Sequence, residues 1–230
     1  VGFELSAPNI PTILSLGGLG IRARERPEHA PLVIAGGPAL SNPLPFGVFF
    51  DGIVIGEAEA MLPELLERIR DLRAAGASRE EQKQALYRFD SVWYPGKSGN
   101  TSRAVWHGFA AQPAGLDFPV PSIKVAQDHG VVEIMRGCPQ GCRFCHAGMF
   151  YRPFRQKSPA GVARDVENVL RRQGYRSITL SSLSSGDYPG VKDLFRQLNS
   201  RYGQAAVSFS LPSLKVNTFN LDLVEELSSG

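Results

Sequence analysis

Short apolar runs alternate with longer segments of helical spacing along the first part of this chain. Continuous apolar runs at residues 31–35 and 49–55 have the composition of strands buried on both faces. Residues 62–72 carry apolar side chains at helical spacing with charges on the opposite face, which predicts an amphipathic helix. We also expect a helix at residues 11–19 and a strand at residues 1–6. This alternation predicts a parallel, doubly wound sheet of Rossmann-like type.

The same alternation returns in the last part of the chain. Strands are predicted at residues 131–135, 177–180 and 205–210, and helices at residues 158–173 and 191–202. Strand, helix, strand, helix, strand is the order that opens a β/α barrel, whose active site lies where the strands end. The predicted fold class is therefore α/β, with a partial Rossmann-like sheet followed by the first half of a partial β/α barrel.

The pattern between these two regions is weaker. A helix is predicted at residues 78–89, where Ser78 and Glu81 have the spacing of a capping box, and prolines and glycines interrupt the pattern afterwards. We expect this segment to bridge two domains, with Trp93 and Trp106 filling their interface. The predicted division of the chain is residues 1–73, 74–130 and 131–230.

Composition places the chain among ordinary globular proteins. Its 230 residues are 43% apolar, and 25 basic residues stand against 22 acidic ones, so a nucleic-acid partner is not indicated. Neither a membrane-spanning apolar stretch nor a secretory signal is found, and we expect a cytoplasmic protein. The chain starts with valine rather than methionine, and we expect it to begin inside a longer protein. Nothing in the sequence indicates an oligomeric state.

All three cysteines stand together, as Cys138-Pro-Gln-Gly-Cys142-Arg-Phe-Cys145. Three thiolates in one tight loop can hold three irons of a cubane cluster, and without a fourth cysteine one iron stays open to an outside ligand. One alternative is a zinc site with His146 as the fourth ligand, although adjacent residues rarely both reach one tetrahedral ion. A disulfide framework is disfavoured because the number of cysteines is odd.

The C-x3-C-x2-C spacing, with Phe144 just before the last cysteine, resembles the signature of radical S-adenosylmethionine (SAM) enzymes. The resemblance implies that Cys138, Cys142 and Cys145 ligate a [4Fe-4S] cluster, that SAM chelates the open iron, and that Phe144 lies beside its adenine. It also implies reductive cleavage of SAM to a 5'-deoxyadenosyl radical, with electrons from a reductant protein such as flavodoxin or ferredoxin. It implies no particular substrate and no further catalytic residue.

Four residues beside the cysteines are expected to shape their loop. Gly137 and Gly141 are expected to let the loop wind around iron without steric strain. Arg136 and Arg143 flank the loop and could offset the negative charge of the cluster or bind the carboxylate of SAM, although such arginines can also face solvent.

The turn Ser184-Ser185-Gly186-Asp187 follows the second strand of the predicted barrel. Its place resembles that of the G-G-E motif, which in the radical SAM family contacts the amino group of SAM, with Asp187 in the position of the glutamate. The resemblance implies that these four residues bind SAM. The alternative is a polar turn in which Asp187 caps the next helix.

Ser6 and the Gly36-Gly37 pair follow predicted strands, at the edge where parallel sheets bind ligands. With Gly56 they resemble the second half of the cobalamin-binding domain that precedes many radical SAM domains. The resemblance implies that Ser6, Gly36 and Gly37 line the groove for the cobalamin tail. The histidine loop that can ligate cobalt has no counterpart in these residues, so cobalamin is assigned only to the full-length protein.

The segment from Glu133 to Gly148 also resembles a bacterial subfamily of cobalamin-type radical SAM proteins of unassigned reaction. The function we expect is reductive cleavage of SAM, with an open choice of substrate. Two alternatives are a cobalamin-dependent radical SAM methyl or methylthio transferase and a non-catalytic module whose cysteines hold zinc.

Overall fold

The computed structural model describes residues 1–113 and 119–215 of the chain. The chain forms two compact units, Val1–His107 and Gly108–Gly230, and the end of the predicted barrel segment, residues 216–230, lies outside the described residues. The boundary falls inside the segment that we expected to be a bridge, so the first part of that segment folds with the first unit. Within the described parts of the chain, no helix combines the length and the apolar character needed to cross a bilayer.

The first unit is built on a sheet in the order β1-β2-β3, in which β1 and β2 are parallel and β3 runs antiparallel to β2. Its helices and strands are α1 (Asn9–Leu16), β1 (Ile34–Gly36), β2 (Gly52–Val54), α2 (Leu62–Ala74), α3 (Arg79–Tyr87) and β3 (Val92–Trp93).

The core of the first unit lies on both faces of this sheet, because successive residues of a strand point to opposite sides. Ile53 packs into a cluster with Ile10 of α1, while Val54 packs into a second cluster with Leu65 of α2. The prediction that residues 49–55 contain a strand buried on both faces is thereby confirmed.

Asp51, just before β2, anchors a buried ion-pair network. It is 3% exposed, and its carboxylate accepts hydrogen bonds from Arg79 at 2.7 Å and from Arg26 at 3.3 Å. The backbone N–H of Val33 donates to the same carboxylate at 2.8 Å. Both arginines are buried, so this carboxylate compensates charges that folding removes from water.

Residues 1–6 do not form the strand that we expected. Glu4–Ser6 is a short 3₁₀ turn, and Pro8, with φ of −61°, leads directly into α1. The chain has to turn before this helix, because proline fixes the local backbone close to a helical conformation.

The tryptophans have partners inside the first unit, where we had expected them to fill an interface between domains. Trp93 lies in β3 and packs against the core of the unit, with its ring close to Gly47. The backbone N–H of Trp106 donates to the carboxylate of Glu57 at 3.1 Å.

The second unit carries a parallel sheet in the order β4-β7-β8 and a small antiparallel pair, β5-β6. The prediction of an α/β chain with parallel strands is confirmed. The helices and strands of this unit are β4 (Gly130–Glu133), β5 (Met135–Arg136), α4 (His146–Phe150), β6 (Arg155–Gln156), α5 (Pro159–Asn168), β7 (Ser177–Ser181), α6 (Val191–Tyr202) and β8 (Ser208–Ser210).

The two faces of the second sheet differ in chemistry. On one face, Val132, Ile178 and Leu180 are completely buried in a cluster that includes apolar side chains of α5 and α6. On the other face, Val131 is 51% exposed and Glu133 is half-buried. By strand alternation and register, the polar side chains of this second face are Glu133, Ser177, Thr179, Ser181, Ser208 and Ser210.

Candidate functional site

The cysteine loop begins directly after β5 and ends at the start of α4. Gly137, just before Cys138, has φ of +81°, a left-handed conformation that other residues rarely adopt. A Cβ atom at Gly137 would lie 2.6 Å from the carbonyl oxygen of Tyr151, so glycine is required where the chain enters the loop. Gly141 has no positive φ, and a Cβ atom there would meet nothing within 4 Å, so the structure does not require glycine at this position.

The three thiols differ in exposure. Cys138 is buried, while Cys142 and Cys145 are partly exposed. The sulfur of Cys145 accepts a hydrogen bond from the backbone N–H of Gly148 at 3.3 Å, at the first turn of α4. Such N–H donors stabilise negative charge on sulfur, as a thiolate ligand requires.

The described residues form no preassembled site for a single metal ion. Among the described residues, no three His, Cys, Asp or Glu side chains are gathered around one metal position. The ring of His146, the fourth ligand of the zinc alternative, lies beside Phe150 with ring centres 5.7 Å apart. A [4Fe-4S] cluster has its irons at separate corners, so its three thiolates need not converge on one point.

The turn after β7 lies in contact with the cysteine loop. The carboxylate oxygen Oδ2 of Asp187 accepts a hydrogen bond from Gln140 at 2.9 Å and another from the hydroxyl of Ser184 at 2.6 Å. Helix α6 begins after Gly190 without a side-chain cap, so the alternative in which Asp187 caps that helix is wrong. The structure thus brings the two segments that the sequence singled out to one edge of the second sheet.

Buried polar contacts hold the end of this turn in place. The hydroxyl of Tyr188 donates to the carbonyl of Lys157 at 2.9 Å, and burial raises the pKa of Tyr188 to about 12, so the phenol stays protonated. The ammonium group of Lys157 pairs with Asp165 at 2.6 Å, and both side chains are almost completely buried. Ser184 and Ser185 are buried as well. These contacts favour a turn of fixed shape.

A pocket of about 370 Å³ opens beside the start of the cysteine loop. It lies where β4 and β7 end, which is the edge expected for an active site in a β/α barrel. Its lining residues are Val131, Glu133, Met135, Arg136, Gly137, Tyr151, Ser181, Ser182 and Leu183.

Glu133 and Arg136 form an ion pair in the wall of this pocket. Two nitrogens of the Arg136 guanidinium donate to the two carboxylate oxygens of Glu133, at 3.0 and 2.9 Å. The guanidinium carbon also lies 4.9 Å from the ring centre of Phe109, within cation–π range. We had not singled out Glu133, although the alternation that buries Val132 indicates that Glu133 lies on the opposite face.

Two other predicted residues of the cysteine loop face solvent in the described structure. Phe144 is 91% exposed, which leaves its ring free to contact a ligand, and its role beside adenine stays a prediction. Arg143 is also exposed, while Arg136 is held by Glu133.

The glycines at the strand ends of the first unit lie close to the backbone of the same unit. Gly37 has φ of +117°, and a Cβ atom there would overlap the backbone of Val1, whose nitrogen donates to the carbonyl of Gly36 at 2.6 Å. Gly56 has φ of +118° and would overlap the backbone of Ala104 in the same way. Both glycines therefore have a structural role, and the cobalamin contacts expected of Ser6, Gly36 and Gly37 stay predictions.

Two family models match this chain. The model described as radical SAM proteins, N-terminal, matches residues 1–95, and that of the radical SAM superfamily matches residues 132–229. The second match includes both the cysteine loop and the turn that contacts it. The two matches show that the chain carries an N-terminal radical SAM domain and a domain of the radical SAM superfamily.

The proteins similar to this chain are longer than the regions that match it. The chain is 28% identical over 199 residues to an uncharacterised protein of Methanocaldococcus jannaschii, and the match covers 85% of this chain and 40% of that protein. It is 31% identical over 83 residues to the ribosomal protein uS12 methylthiotransferase RimO of Thermotoga petrophila, covering 33% of this chain and 19% of that enzyme. The chain thus spans about two fifths of the length of the first of these relatives.

A solved structure shares the fold. The radical SAM methyltransferase TsrM from Kitasatospora setae, determined with cobalamin and a [4Fe-4S] cluster bound, matches with a TM-score of 0.51 and 16% identity. The match covers 86% of this chain and 40% of TsrM. At this level of identity the likeness concerns the fold.

Proposed function

We propose that the protein containing this chain holds a [4Fe-4S] cluster with Cys138, Cys142 and Cys145 and cleaves SAM reductively. When bound, such a cluster supplies the electron that splits SAM into methionine and a 5'-deoxyadenosyl radical, which abstracts hydrogen from the substrate. The observation that carries the proposal is the contact between the cysteine loop and the turn at Asp187, at the end of a parallel sheet. The match to the radical SAM superfamily supports the same chemistry.

The residues around the loop have distinct proposed roles toward SAM. The carboxylate of Asp187 binds the amino group, and Ser184, Ser185 and Gly186 shape the turn that presents it. Phe144, which is 91% exposed, covers the adenine. An acidic group in a half-buried turn is suited to bind an ammonium group, because the two charges compensate each other away from bulk water.

The pocket at the ends of β4 and β7 is proposed to receive the part of the substrate that reacts. Its wall combines a fixed ion pair, Glu133 with Arg136, and the hydroxyl-bearing residues Ser181 and Ser182. Electrons are proposed to come from a reductant protein such as flavodoxin or ferredoxin. The cytoplasmic location expected from the sequence stays a prediction.

A second candidate is methyl or methylthio transfer aided by cobalamin. It is favoured by the likeness of the chain to a methylthiotransferase over 83 residues and by the fold shared with a cobalamin-containing methyltransferase. The structure shows only that a Cβ atom at Gly37 would overlap the backbone of Val1, and we assign no step to cobalamin. The visible absorption spectrum of the purified intact protein separates this candidate from the first. A corrinoid spectrum supports cobalamin-aided transfer, and its absence argues against it.

Anaerobic reconstitution with iron and sulfide tests the main proposal. We expect nearly four irons and four sulfides per protein, an electron paramagnetic resonance (EPR) signal after reduction that changes when SAM is added, and release of 5'-deoxyadenosine. Protein purified anaerobically with one zinc, and with neither iron nor labile sulfide, would instead support the zinc-binding module. A cluster whose EPR spectrum does not change when SAM is added would contradict the proposal.

A further inference from the structure

Gln140 connects two parts of the candidate site that are 47 residues apart in the sequence. It lies inside the cysteine loop, between Cys138 and Cys142, and its side-chain amide donates to Oδ2 of Asp187 at 2.9 Å. Gln140 is half-buried, so this hydrogen bond is shielded in part from competing water. No motif in the sequence indicated a role for this glutamine.

The contacts of Asp187 leave its charge available. Both donors to Oδ2, the amide of Gln140 and the hydroxyl of Ser184, are neutral. Among the described residues, no cation pairs with Asp187 and no donor binds its Oδ1. The carboxylate is therefore held by one oxygen, while its other oxygen and its negative charge remain free for a cationic ligand group.

We propose that Gln140 is a positioning residue for SAM, an inference that rests on the proposed function. It fixes the Asp187 carboxylate so that Oδ1 faces the amino group of SAM. Two donors on one oxygen restrict the rotation of the carboxylate more than Ser184 alone can, and a preorganised group binds its ligand with less loss of entropy.

The position of Gln140 in the cysteine loop has a second consequence. The same hydrogen bond joins the turn that binds the amino group to the loop that holds the cluster. Binding of SAM at Asp187 and the surroundings of the cluster are therefore coupled, and such coupling acts equally in both directions.

Two conservative substitutions of Gln140 and one control separate this role from packing. Gln140→Met keeps the length and removes the donor, while Gln140→Asn keeps the donor but shortens its reach by one methylene group. Gln204→Ala is a matched control, because Gln204 is exposed and makes no side-chain hydrogen bond among the described residues.

The test uses the intact protein, reconstituted anaerobically, with SAM binding measured at equilibrium and the reduced cluster followed by EPR. We expect Gln140→Met to keep the iron and sulfide content of the wild type. Its SAM binding should be about tenfold weaker, because the Asp187 side chain then loses on binding the rotational freedom that it has already lost on folding in the wild type. The change in the EPR spectrum on adding SAM should be smaller, and Gln140→Asn should behave similarly.

Hydrogen exchange in the absence of the cluster and SAM tests the structural part of this inference. In the metal-free protein, hydrogen exchange of residues 184–187 should be faster in Gln140→Met than in the wild type or in Gln204→Ala. Unchanged exchange in the variant would argue against the hydrogen bond as a structural link.

The outcomes distinguish this inference from the proposed function. The proposed function itself is contradicted if the wild-type protein forms no cluster, or if the EPR spectrum of its cluster does not change when SAM is added. A normal wild type combined with unchanged SAM binding in Gln140→Met overturns only the role of Gln140. In an Asp187→Asn background, Gln140→Met should weaken SAM binding less than about twofold, because its partner is already altered. A renewed tenfold loss there would show that Gln140 does not act through Asp187.

Discussion

The parallel strands of the two units end in different surroundings. In the first unit, Gly37 and Gly56 follow β1 and β2, and the space beside each glycine is filled by backbone of the same unit. In the second unit, β4 and β7 end at a pocket of about 370 Å³, beside the cysteine loop and the turn at Asp187.

This difference shows that the loops after parallel strands can either fill the space at the carboxyl edge of a sheet or leave it open. Ligands tend to bind at such edges because loops and backbone N–H groups meet there. In the first unit the two glycines allow neighbouring backbone segments to approach closely. In the second unit Ser181 and Glu133 point to a face that the helices of the unit leave open. Variants in each unit test this difference.

The largest effect is expected from the cysteines. Substituting Cys138, Cys142 or Cys145 by alanine should reduce the iron retained after reconstitution to background, since each thiolate binds one iron in the proposed cluster. Iron and sulfide analysis of the intact protein measures this. His146→Ala is the control and should retain its iron, whereas a loss of metal equal to that of the cysteine variants would favour the Cys3His zinc site.

Asp51→Ala should be the most destabilising change in the first unit. It leaves Arg26 and Arg79 buried without their shared carboxylate, and breaking a buried ion pair in this way costs about 3–5 kcal/mol. Urea unfolding of the intact protein measures the loss in free energy. Asp193→Ala, which removes an exposed pair with Arg196, should leave the unfolding curve unchanged. Equal curves for both variants would show that the Asp51 network does not stabilise the first unit.

The two faces of the second sheet can be separated at neighbouring positions of β4. Val132 is completely buried and Val131 is 51% exposed. Val132→Ala should lower the free energy of unfolding by roughly 2–3 kcal/mol, because it creates a cavity in the core. Val131→Ala should cost less than about 0.5 kcal/mol. Similar losses at both positions, measured in urea, would mean that the polar face is covered in the intact protein.

Gly37→Ala is expected to have a smaller effect than Asp51→Ala or Val132→Ala. An alanine at φ of +117° is strained and would overlap the backbone of Val1, so we expect a loss of roughly 1–2 kcal/mol even when no corrinoid is present. Gly2→Ala is the control, because nothing lies within 4 Å of a Cβ atom there. Stability equal to the wild type, together with reduced corrinoid content, would instead give Gly37 a role in ligand binding.

Sequence patterns predicted most of the elements because they are local. The parallel strands β4, β7 and β8 and helices α2, α5 and α6 lie where apolar periodicity placed them, with differences of a few residues at their ends. The capping box at Ser78 and Glu81 is present at the start of α3. Spacing within one loop also sufficed to single out the cysteines, since their chemistry depends on the number and proximity of thiolates.

Contacts between distant residues were decided only by the tertiary structure. The sequence did not indicate that Gln140 reaches Asp187, that Glu133 pairs with Arg136 in a pocket wall, or that the backbone of Val1 lies against Gly37. Each of these contacts depends on how segments pack, and a single sequence reports periodicity and spacing along the chain but not distances across it. The sequence therefore determined the elements and the candidate ligands, while packing decided which strand ends stay open for chemistry.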